Sequence, residues 1–137
     1  RLVGSGIPVM GHLGLTPQSV HQLGGFKVQG RENPEALIEA AKALEAAGVF
    51  ALVLEMVPQD LAKQITELLS VPTIGIGAGS GTDAQVLVWT DAFGITKNPP
   101  KLARSYRNLR QELFDGAKEF AKDVENGAFP SESESFN

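Results

Sequence analysis

The sequence predicts an α/β fold on a parallel sheet of about four strands, either half of a (β/α)8 barrel or a small open sheet. Three observations point there. Strand-like and helix-like segments alternate along the chain, the pattern that parallel sheets require of their crossovers. Residues 50–54 are five apolar side chains in a row, ending on the carboxylate of Glu55. A strand without polar alternation is one covered by helices, and such sheets carry their chemistry at the C-terminal strand ends. Glycine, proline and asparagine punctuate the segments where turns and caps are needed.

Taken in order, residues 1–6 read as the tail of a helix running into a turn, and residues 7–10 as a short buried strand ending at Gly11 and His12. An initial arginine at the tail of an element points to a fragment or a processed product. Thr16 and Pro17 suit a helix cap and first helical position, and Gly24-Gly25 keeps that helix short. Residues 26–31 (FKVQGR) form a loop or short extended piece with two cations. Asn33 caps a clearer helix, in which Leu37, Ala41 and Leu44 recur at helical spacing until Gly48 stops it.

After the strand ending at Glu55, a second helix runs from Pro58 with Leu61, Ile65, Leu68 and Leu69 on one side. Residues 73–76 make a third strand, followed by the glycine-rich residues 75–81. Thr82 and Asp83 read as the start of a single helical turn before a fourth strand at residues 86–89. Beyond the breaker Asn98-Pro99-Pro100, apolar residues from Leu102 and Tyr106 to Phe120 and Val124 predict one long amphipathic helix. Gly127 and Pro130 end it, and residues 131–137 form a polar tail.

The 137 residues are 42% apolar with a formal charge of −4, an ordinary globular composition. No apolar run approaches the roughly 18 residues of a membrane span. The mild acidity and few aromatics argue against nucleic acid as a partner. The absence of cysteine excludes disulfides and thiol chemistry and fits a reducing, cytoplasmic setting; two histidines make a His-rich metal site a poor reading.

The strand-end residues are the chemical candidates. Glu55 reads either as a base or as a structural carboxylate paired with a cation. His12 reads either as a hydrogen-bond donor to a substrate oxygen or as a histidine satisfied by backbone, and His21 as a surface or packing residue. Residues 75–81 lack a Walker lysine and the spacing of a dinucleotide fingerprint, so they offer backbone N–H groups to an anion or serve close packing. Asp83 reads as part of a helix start and Asp91 as a turn or orienting residue. No carboxylate set has metal-ligand spacing. Lys27 and Arg31 could hold an anionic group or be solvated.

Residues 10–19 (MGHLGLTPQS), 24–31 (GGFKVQGR), 52–58 (LVLEMVP), 74–79 (IGIGAG) and 85–95 (QVLVWTDAFGI), with the ending at residues 125–130 and 135–136, together resemble ketopantoate hydroxymethyltransferase. The resemblance covers essentially the whole chain. It implies that residues 1–130 are the C-terminal half of a TIM-barrel catalytic domain. It also implies transfer of a hydroxymethyl group from 5,10-methylenetetrahydrofolate to 3-methyl-2-oxobutanoate, giving 2-dehydropantoate, through a metal-stabilised enolate. The family's proton acceptor falls on Glu55 and a substrate-contacting histidine on His12. Mg²⁺ is expected, with its ligands in an N-terminal half absent from this sequence, and the family's assembly is a homodecamer. Two departures stand out: Ala84 and Thr90 occupy positions where the family often has glycine and histidine. Two other readings compete, a 2-oxo-acid C–C lyase of the phosphoenolpyruvate/pyruvate barrel group and a non-catalytic barrel fragment.

Overall fold

The segment ending at Glu55 is a strand, as its apolar run predicts, and it lies second in a four-stranded sheet. In the computed structural model, which describes residues 1–136, the strands are β1 (Met10–Gly14), β2 (Ala51–Glu55), β3 (Thr73–Ile76) and β4 (Ala84–Gln85). They stand in the order β1-β2-β3-β4, and every neighbouring pair is parallel. A doubly wound sheet reverses its strand order at a switch point. A sheet that adds each strand beside the last is singly wound, as in a barrel wall. The architecture is α/β with a four-stranded parallel sheet, in agreement with half of a (β/α)8 barrel.

Two helices make the crossovers. The first, α1 (Pro34–Ala46), starts where Asn33 Oδ1 accepts the Ala36 N–H at 3.1 Å, with Pro34 in the first helical turn, where its missing N–H costs nothing. The second, α2 (Gln59–Leu68), follows Pro58 and buries Leu61, Ala62 and Ile65. These three, with Ala41 of α1, Val57 and Ala78, enclose Leu52 and Leu54 of β2, both 0% exposed. Truncating either leucine to alanine removes packing worth about 2–5 kcal/mol. The strand period of two sets Val53 and Glu55 on the opposite face, away from the helices. There Val53 and Ile74 are only half-buried, and Met10 is 45% exposed.

The first strand lies later than residues 7–10. Pro8 has no N–H and the Ile7 N–H goes to Leu2 O, so pairing begins at Val9, whose carbonyl accepts from Phe50. His12 is therefore inside β1 rather than beyond it. Thr16 makes no side-chain cap, and Pro17–Ser19 is a single 3-10 turn, with His21 exposed in the turn that follows. The fourth strand is also displaced, to residues 84–85. The Asp83 carboxylate accepts the Thr73 N–H at 2.8 Å and the Thr73 hydroxyl at 3.1 Å. That bond seats the chain on β3 before the apolar run begins, so Asp83 is a sheet anchor and not a helix start.

The chain divides into two units, Arg1–Val86 and the remainder from Leu87. The second unit holds α3 (Trp89–Ala92), which begins at the last residue of the strand expected over residues 86–89, and α4 (Leu109–Glu125). The long helix does not reach back to Leu102. Tyr106, Leu109 and Arg110 donate their N–H groups to the carbonyls of Ala92, Phe93 and Gly94, and α4 begins at Leu109, the second of these donors. Phe120 and Phe129 meet edge to face at 5.3 Å. The polar tail forms a 3-10 turn, Glu132–Glu134, closed by a reciprocal cap between Ser131 and Glu134. Asn137, the last residue of the expected tail, lies outside the described residues.

Candidate active site

Adjacent strands bring the two candidate residues together. In the β1–β2 ladder His12 is opposite Val53 and Gly14 is opposite Glu55. His12 and Glu55 are thus diagonal neighbours on the same face of the sheet, the one the helices leave uncovered. His12 Nε2 lies 3.1 Å from Glu55 Oε2, with the side chains 32% and 17% exposed. The ring N–H direction misses the carboxylate, however, and the Nε2 atom is buried without a hydrogen-bond partner. The contact is a close approach between a carboxylate and an imidazole whose Nε2 has no hydrogen-bond partner in the protein. A buried polar atom without a partner is costly enough that native proteins rarely leave one without a use.

The backbone around Glu55 is clamped from both sides. Its own carbonyl accepts the Leu15 N–H at 2.8 Å, just past β1. Met56 follows with φ 49°, a left-handed conformation that costs a non-glycine residue about 1–2 kcal/mol. Two hydrogen bonds hold it there: Met56 N–H donates to Ile76 O, and Met56 O accepts from Gln29 N–H, both at 2.9 Å. Gly14 closes the other side with φ 90°, and a Cβ there would collide with the Glu55 carbonyl oxygen and approach Val57 Cγ2 at 2.7 Å. No single-sequence signal marks Met56 or the Gln29 bond, because both depend on partners far away in the chain.

The excursion after β1 returns past this clamp and walls a cleft of about 1070 Å³. His12, Gly14 and Met56 line its inner end, and Lys27 and Arg31 its loop wall. Glu55 is not among the lining residues, whereas Met56, which follows it, and Gly14, paired opposite it, are. The glycine-rich loop serves packing: the place of a Gly75 side chain is taken by Thr82 and Gln85, and Gln85 Nε2 bonds Gly79 O at 2.9 Å and Thr82 Oγ1 at 2.7 Å. Asp91 is 8% exposed in α3, and its carbonyl accepts the Ser105 hydroxyl at 2.8 Å. Thr90 belongs to that same short helix. Among the described residues, no three His, Cys, Asp or Glu side chains are grouped to hold a metal, and no helix is long and apolar enough to cross a membrane.

Comparison with known proteins agrees with the motifs. The family model described as ketopantoate hydroxymethyltransferase matches residues 1–132. A 3-methyl-2-oxobutanoate hydroxymethyltransferase of Thermobifida fusca (strain YX) is 57% identical over 137 residues, 98% of this chain and 49% of the relative. Its namesake in Corynebacterium glutamicum is 55% identical over 99% of this chain and 51% of the relative. The one in Legionella pneumophila (strain Paris) is 53% identical, over 99% and 53% respectively. The chain thus spans about half the length of the curated relatives it matches. With nearly all of its residues matched in register, the chain belongs to the ketopantoate hydroxymethyltransferase family.

Proposed function

We propose that this chain supplies the base of a hydroxymethyl transfer from 5,10-methylenetetrahydrofolate to 3-methyl-2-oxobutanoate, giving 2-dehydropantoate. The approach of His12 and Glu55 to 3.1 Å on the uncovered sheet face carries the reading. Glu55 takes the proton from C3 of the oxo acid, and the C–H electron pair passes into the enolate. Water hydrolyses the methylene bridge of the cosubstrate, breaking both C–N bonds and leaving tetrahydrofolate, with its two nitrogens protonated, and a formaldehyde unit. The enolate carbon attacks that carbonyl carbon, and the alkoxide so formed takes back the proton held by Glu55. His12 Nε2, unpartnered in the protein, donates to a substrate oxygen. Low exposure of the Glu55 side chain keeps bulk water from competing for the proton.

Mg²⁺ would polarise the carboxylate and keto oxygens of the substrate. The described residues offer no donor set for it, so the proposal gives its ligands to an N-terminal half of the barrel outside this chain. That half would also cover the half-buried Val53 and Ile74. Assembly as a homodecamer and a cytoplasmic location complete the proposal, and native mass spectrometry checks the first.

The test is deuterium exchange at C3 of 3-methyl-2-oxobutanoate, followed by NMR in the full-length enzyme. Glu55→Gln keeps the size of the side chain and removes its basicity. Exchange should fall by a factor of about 10²–10⁴; exchange at the unsubstituted rate would remove Glu55 as the base.

A further inference from the structure

The cleft beside His12 is far larger than a five-carbon oxo acid requires. Its volume of about 1070 Å³ exceeds the roughly 300–1,000 Å³ that encloses drug-sized ligands. The surplus lies against the excursion after β1, whose wall carries Phe26, Lys27 and Arg31. Phe26 is 75% exposed, an aromatic ring kept out of the core yet facing the cleft. Among the described residues the only contacts within 4 Å between a basic side chain and a carboxylate are His12–Glu55, Lys42–Glu39 and Lys63–Glu67, so neither Lys27 nor Arg31 has a carboxylate within 4 Å. Glu32 lines the same wall and offsets only part of their charge.

These side chains stand on an ordered backbone. Leu23 N–H donates to Ser19 O at 2.9 Å and Gly25 N–H to Val20 O at 2.8 Å. Gln29 donates its N–H to Met56 O and its side-chain amide to Lys27 O, both at 2.9 Å. The two cations are therefore presented from a wall tied to the residue that follows Glu55. A ligand that extends from His12 to this wall meets an exposed aromatic ring and two cations there.

We propose that Phe26, Lys27 and Arg31 form the subsite for the aminobenzoyl-glutamate tail of the folate cosubstrate, an inference that rests on the transferase reading above. Phe26 stacks against the aminobenzoyl ring. Arg31 meets a tail carboxylate with its planar fork, and Lys27 adds a second, compact charge. Each further glutamate on the tail then adds a carboxylate within reach of this wall.

The test measures KM of the full-length enzyme for 5,10-methylenetetrahydrofolate carrying either one or five glutamates. The unsubstituted enzyme should show the lower KM with the longer tail. The double substitution Lys27→Ala/Arg31→Ala should raise KM for the longer form about tenfold and erase the preference. The charge-preserving pair Lys27→Arg/Arg31→Lys should retain the preference, which separates lost charge from lost folding. A double alanine variant that keeps the unsubstituted KM for both tails overturns the subsite, as does an unsubstituted enzyme indifferent to tail length. An enzyme that exchanges the C3 proton but transfers nothing from folate overturns the transferase reading and the subsite together.

Discussion

Replacing Gly14 by alanine tests whether the clamp around Glu55 holds its carboxylate in place. At φ 90° an alanine is in the left-handed region, which costs about 1–2 kcal/mol. Its Cβ would also run into the Glu55 carbonyl, the acceptor of the Leu15 N–H at 2.8 Å. Relief requires β1 and β2 to part at this end. That gives up the hydrogen bond, about 1 kcal/mol, and loosens Leu15, which is 0% exposed. The sum is about 2–3 kcal/mol, enough at ordinary denaturant sensitivity to lower the urea midpoint by about 1–2 M. The consequence for chemistry is larger. A displacement of about 1 Å at a reacting group costs about 100-fold in rate, so C3 exchange should fall by about that factor in the molecules that remain folded. An alanine variant with an unchanged urea midpoint and exchange within threefold would show that the clamp does not position Glu55.

Two further substitutions or titrations probe the supports. Thr73→Val keeps the shape of a residue that is 0% exposed but removes the hydroxyl that bonds Asp83 at 3.1 Å and Thr66 at 2.7 Å; stability should drop by about 1–3 kcal/mol. Faster hydrogen exchange at the Val86 amide, which bonds Gly75 O at 3.0 Å, would locate the damage at β4, and an unchanged Val86 rate would refute that role. In the tail, the Ser131 hydroxyl first, then the Ser133 hydroxyl and the Ser131 amide, hold the Glu134 carboxyl below the usual carboxylate range. A lowered folded value means that the contact is complete above the ordinary glutamate pKa of about 4.3 and is lost as pH falls through the lowered one. An NMR titration should show the Ser131 amide and the Glu134 carboxyl moving together in acid, and a Glu134 midpoint at the ordinary value would contradict the cap.

The segments legible in the sequence are those whose burial is set locally. Leu52 and Leu54 sit in an unbroken apolar run, and Leu61 and Ile65 recur on one helical face, so β2 and α2 follow from pattern alone. The cap at Asn33 and the stop at Gly48 likewise use neighbours in sequence. The displaced elements obey distant hydrogen bonds instead. The start of β1 depends on where the Ile7 N–H goes, β4 on the capture of Asp83 by Thr73, and the start of α4 on N–H groups given to residues 92–94. The run at residues 86–89 looks like a strand because it is apolar, but Trp89 begins a helix and is 61% exposed. For the candidate site, the identities of His12 and Glu55 were readable. Their diagonal placement was not, because it follows from a register that one strand cannot announce.

That register separates two properties that many sites keep entangled. The distance between His12 and Glu55 is set by a hydrogen-bonded ladder, whose spacing no loop can retune. The wall of the cleft is an excursion that meets the ladder's end through the Leu15 and Gln29 amides. Substitutions along residues 16–27 can therefore change which molecules the cleft admits while the spacing of His12 and Glu55 stays as it was. The shape of the cleft is the exchangeable part of this half-barrel, and the strand register is its chassis.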